Sequence, residues 1–190
     1  MASSFSRDVK CDSESFLRTV RRTGTPERVH VVELFLDREV NDELDSRFEI
    51  TATLRPDDPD YDIKREIAIQ RFLGYDYVVC GVEGAELPVN FTMHEDKTSA
   101  GGRRWLEQHA TPISSWKDFE SFPWPKSEDL STARLERLSR LLPDDMCIIG
   151  GLGAGFCEGL CALFGYEKLC YALYDQRDLV QAVFDKVLAL

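Results

Sequence analysis

The sequence predicts an α/β fold made of βα units around a parallel sheet, and three observations predict it. Three short runs, Val29 to Leu36 (VHVVELFL), Tyr77 to Val82 (YVVCGV) and Cys147 to Gly151, are apolar and β-branched on both faces, as expected of parallel strands covered on each side. Segments with helical periodicity alternate with them, which is the pattern of βα units. The composition, 43% hydrophobic and 30% charged over 190 residues, is that of an ordinary globular protein with one domain or slightly more.

The elements follow in order. A short amphipathic helix from about Ser13 to Arg22 places Phe16, Leu17 and Val20 on one face and stops at Thr23-Gly24-Thr25-Pro26. After the first strand, a helix from Arg38 to Phe48 carries Val40, Leu44 and Phe48 at i, i+4, i+8. A second helix, from Asp62 to Leu73, follows the turn-rich Arg55-Pro56-Asp57-Asp58-Pro59 and ends at Gly74. Beyond the second strand, residues 86–125 form an irregular insertion with all three tryptophans. It holds a hairpin expected at Val89 to Met93 and Gly102 to Leu106, and a short helix capped by Ser115. A loop of this length reads as a lid or binding element. A helix from Glu128 to Leu142 leads into the third strand, and helices from Phe156 to Phe164, Glu167 to Tyr174 and Arg177 onward complete the chain.

Composition and spacing exclude several functions. The net charge of −11 repels phosphate backbones and anionic surfaces, so neither nucleic acid nor membrane is an expected partner. No apolar stretch approaches the ~20 residues of a spanning helix, and Met1 to Lys10 lack the apolar core of a signal peptide, which predicts a cytoplasmic protein. The six cysteines match neither a redox pair nor a zinc knuckle and read as buried free thiols. His30 and Glu33, three apart on a strand, point to opposite faces, and His94 and His109 have no cysteine nearby, so no metal site is expected. No nucleophile elbow is present, and no serine has an evident local base. The turn Gly150-Gly151-Leu152-Gly153-Ala154-Gly155-Phe156 fails the dinucleotide spacing, because Phe156 stands where glycine is required. That failure counts against a small Rossmann-like protein.

In a barrel of βα units the chemistry gathers at the C-terminal strand ends. Here those ends are Asp37-Arg38, Glu83-Gly84 and Gly151 to Glu158. Cys157 and Cys161 share a helical face and read as packing residues rather than ligands.

Several segments in this order resemble the uroporphyrinogen decarboxylase superfamily. They are Phe16-Leu17-Arg18 with Arg21-Arg22, Thr25-Pro26-Glu27-Arg28-Val29, and Phe72-Leu73-Gly74-Tyr75-Asp76 before the second strand. Ile113-Ser114-Ser115-Trp116-Lys117-Asp118-Phe119 with Phe122-Pro123-Trp124-Pro125 continues the likeness. Ile149 to Phe156 running into Gly159-Leu160-Cys161-Ala162-Leu163-Phe164-Gly165-Tyr166 completes it. The resemblance implies a (β/α)8 TIM barrel, of which this chain is expected to be the N-terminal portion, an incomplete barrel: residues 1–27 as helix and lead-in, residues 28–190 as the first βα units. It also implies two chemistries. The decarboxylases act on a highly carboxylated tetrapyrrole without a cofactor, through arginines after the first strand, an aspartate after the second and a tyrosine in the helix after the third. The related methyltransferases move a methyl group between a corrinoid and a thiol, with a zinc whose ligands lie in the second half.

Carried over residue by residue, the arginine-rich segment falls on Leu34-Phe35-Leu36-Asp37-Arg38, the aspartate on Glu83 and the tyrosine on Cys161. One arginine in a chain this acidic is a poor host for eight carboxylates. The expectation is therefore a divergent member, closer to the methyltransferases than to the decarboxylases, acting on a small-molecule substrate, a tetrapyrrole or a methylated compound, with a corrinoid protein as partner in the methyltransferase case. Glu83 would be catalytic, Asp37 and Arg38 would orient substrate, and Gly151, Gly153, Phe156, Glu158 and Cys161 would form the floor of the site. No cofactor is expected within this chain; zinc and corrinoid enter only with the methyltransferase chemistry. A non-catalytic half-barrel binding module is the reading from a different class.

Overall fold

The computed structural model describes residues 9–33, 36–89, 91–94, 103–106, 110–151 and 155–189. The chain divides into two compact units, one of Met1–Gly81 and Thr132–Gly151, the other of Val82–Ser131 and Leu152–Leu190.

The first unit holds α1 (Ser13–Val20), α2 (Arg38–Phe48), α3 (Tyr61–Phe72), β1 (Tyr77–Gly81), α5 (Ala133–Leu141) and β4 (Cys147–Gly151). Strands β1 and β4 pair in parallel, in unbroken register from Tyr77 opposite Cys147 to Gly81 opposite Gly151. Asp12 caps α1 by accepting from the Ser15 N–H at 2.9 Å. Helix α3 ends on Gly74 with a φ of 77°, where a Cβ would come within 2.9 Å of the Val9 side chain, so the left-handed turn and the close approach both require glycine. Two apolar clusters hold the unit. Ile63, Ile67, Val78, Cys80, Leu138 and Met146 join α3 and α5 to β1, and Phe16, Tyr75 and Tyr77 join α1 to the same strand.

The second unit holds β2 (Phe91–His94), β3 (Arg103–Leu106), α4 (Trp116–Ser121), a single 3-10 turn (Ser127–Asp129), α6 (Phe156–Phe164), α7 (Tyr166–Asp175) and α8 (Arg177–Leu188). Strands β2 and β3 form the antiparallel hairpin expected inside the insertion, with Phe91 opposite Leu106 and His94 opposite Arg103. The core is the helical face made by Leu163, Phe164, Leu169, Leu179, Val180 and Val183, closed by Ile113 and Phe122. Trp124 sits edge-on to Phe122 at 4.6 Å and donates its indole N–H to the Phe119 carbonyl at 3.2 Å, so the aromatic tract folds onto that core.

Three expectations need correction. The strand expected from Val29 to Leu36 is not formed in its described part, 29–33 and 36. The Tyr77 hydroxyl instead accepts from the Glu33 N–H at 2.6 Å and donates to the Glu33 carbonyl at 2.5 Å, taking up backbone groups that a ladder would have used. Val29, Val31 and Val32 stay 84%, 53% and 53% exposed, and β-propensity acts only where the branched side chains find cover. The helix expected from Glu128 begins at Ala133: Ser127–Asp129 make only a 3-10 turn, Leu130 is extended, and Ser131 pairs with Glu83 in an antiparallel bridge. The six cysteines are not all buried: Cys11 and Cys80 are, whereas Cys157 and Cys170 are exposed.

Candidate functional site

Each strand-end residue can be followed from its local geometry. Strand β1 ends at Gly81, and two residues on, the Glu83 N–H donates to the Ser131 carbonyl at 3.1 Å while the Ser131 N–H donates back at 3.0 Å. Gly84 follows with a φ of 85°, where a Cβ would stand 2.4 Å from the Asp129 carbonyl oxygen. The Glu83 backbone is thus fixed on both sides while its side chain remains exposed.

Asp37 precedes α2 without making a side-chain cap, and Arg38 lies exposed, 3.6 Å from Asp42. Gly151 is the last residue of β4. Gly153 lies outside the described residues. In the second unit, Phe156, Glu158 and Cys161 share α6. Phe156 packs on Phe184 with ring centres 5.6 Å apart. Glu158 accepts from the Gly155 N–H at 3.1 Å, so its carboxylate caps the first turn of its own helix. Burial pushes the Cys161 thiol above its ordinary pKa, with neighbouring Cys157, Cys170 and Glu158 adding to the effect. Asp37, Arg38 and Gly151 belong to the first unit, and Glu83, Phe156, Glu158 and Cys161 to the second.

A second constellation, in the first unit, is built around Asp76, which is 0% exposed. Its Oδ2 lies 2.6 Å from His30 Nδ1. Its Oδ1 accepts from Arg28 Nη2 at 2.5 Å and from the Asp12 N–H at 2.7 Å. On the far side of the imidazole, His30 Nε2 stands 3.0 Å from Ser15 Oγ. The carboxylate selects the tautomer with the proton on Nδ1, leaving the Nε2 lone pair to accept from the serine hydroxyl. Ser15 has a base after all, though one 15 residues away in sequence. Spacing could not reveal it, but Asp76 itself was a signal, because a carboxylate leading directly into an apolar strand must find partners when the strand is buried.

Among the described residues no three His, Cys, Asp or Glu side chains are grouped to hold a metal ion, and no helix is long and apolar enough to cross a membrane. Comparison of the chain with family models, with curated proteins and with solved structures found no match.

Proposed function

We propose that the chain carries the opening βα units of a divergent cytoplasmic enzyme of the uroporphyrinogen decarboxylase superfamily, one that transfers a methyl group from a corrinoid to a thiol or similar acceptor. The parallel pairing of β1 with β4 supports the βα part of this reading. The choice of chemistry rests on where the arginines flanking residues 29–36 go. Arg28 is committed to buried Asp76, and Arg38 shares Asp42 with Arg65. A substrate with many carboxylates needs several unspent guanidinium groups. These two do not supply them.

The donor set among the described residues does not fit zinc, and no step proposed for this chain passes through it. The role assigned to the chain's own residues is narrower. Glu83, its backbone pinned by Ser131, accepts a proton from the incoming acceptor. The test is Glu83→Gln, which preserves shape and removes the base. Methyl transfer from methylcobalamin to a thiol is expected to fall ~10²-fold or more. An unchanged rate removes Glu83 from the mechanism.

A second reading, a binding module without chemistry, is favoured by one observation, the exposed Val29, Val31 and Val32. It predicts no turnover with any methyl donor and no effect of Glu83→Gln.

A further inference from the structure

We infer that Ser15, His30 and Asp76 form a serine nucleophile site for acyl transfer, separate from the strand ends and independent of the reading given for them. Three features support it. The two links have the lengths a nucleophile–base–orienter chain requires, 3.0 Å from Ser15 Oγ to His30 Nε2 and 2.6 Å from His30 Nδ1 to Asp76 Oδ2. The orienting carboxylate is fixed independently, because Arg28 and the Asp12 N–H occupy its other oxygen. The serine also borders a cleft. Ser15, 9% exposed, lies in the first turn of α1 among the residues that line a cleft of about 820 Å³, with Arg28 and the start of α1.

The step balances with an ester and water. Ser15 Oγ attacks the acyl carbon and gives its proton to His30 Nε2, which passes it to the departing alcohol as the ester C–O bond breaks. Water then cleaves the acyl-serine, with His30 again taking and returning a proton. The cleft's charge sets the substrate class. Glu14, Glu27, Asp144 and Asp145 outnumber Lys10 and Arg28 on its walls, so neutral or cationic esters enter and anionic ones are repelled.

The experiment treats the full chain with a neutral fluorophosphonate and maps the adduct by intact mass and peptide sequencing. One adduct per chain on Ser15 is expected, slowed ~10²-fold or more in His30→Gln and absent in Ser15→Ala, with circular dichroism verifying that both variants fold. The map on the unmodified sequence decides the matter even if a variant misfolds: no adduct, or an adduct only elsewhere, overturns the proposal. Equal labelling of folded His30→Gln overturns the role of the histidine. With 4-nitrophenyl esters, the acetate is expected to turn over at least ~10-fold faster than the anionic succinate. The reverse order overturns the substrate class.

Discussion

Asp76 concentrates more interactions than any other single side chain described above: an arginine, a histidine and a backbone N–H all end on its two oxygens. Removing it leaves a guanidinium and an imidazole without their partner in a buried place, and breaking such a buried charge network costs ~3–5 kcal/mol. Asp76→Ala is therefore expected to lower the unfolding free energy by about that amount in urea denaturation, far more than a surface aspartate such as Asp57 would. Asp45 makes a different prediction. Burial works to raise its pKa, but hydrogen bonds from Arg65 and Thr51 outweigh it and hold the carboxyl below its ordinary value. A depressed folded-state pKa contributes stability that is present above the unfolded value, ~3.9, and lost as the pH falls below it. The stability advantage of the native sequence over Asp45→Asn is thus expected to hold at neutral pH and to shrink on acidification, as measured by denaturation at a series of pH values.

At the scale of elements, much of the chain was legible. Helices α2 and α3 and strands β1 and β4 lie within a residue or so of the bounds that periodicity suggests, because their apolar spacing, the Gly74 stop and the β-branched runs act locally. The segment 29–33 was not, because an apolar run says only that cover is favourable, and here the Tyr77 hydroxyl captures the Glu33 backbone. The Ser15–His30–Asp76 chain was illegible for a related reason: its members come from a helix, an irregular segment and the residue before a strand. Of the expected site, Glu83 at a strand end was readable, whereas the Ser131 bridge that fixes it depends on a contact 48 residues away. Gly84 is the element-scale test of that fixed geometry. Gly84→Ala would drive a Cβ into the Asp129 carbonyl at a positive φ; a loss of more than ~1 kcal/mol is expected, together with faster hydrogen exchange at Glu83 and Ser131.

For the whole molecule, the two units have separate cores. Leu138 is buried among α3, α5 and β1, and Leu163 among α6, α7 and α8. Truncating either to alanine is expected to cost ~2–5 kcal/mol. Hydrogen exchange should rise first in β1 and α3 for Leu138→Ala, and in α6 to α8 for Leu163→Ala. The proposed function rests on a comparison of charges at the same scale: a net charge of −11, with Arg28 and Arg38 both facing aspartates, leaves neither arginine unpaired for a polycarboxylate. The most direct test is to supply the protein, without oxygen, with methylcobalamin and a thiol in one reaction and with uroporphyrinogen in another. Methylated thiol in the first with no carbon dioxide from the second is the expected result, and carbon dioxide released from uroporphyrinogen at an ordinary enzymatic rate would contradict it.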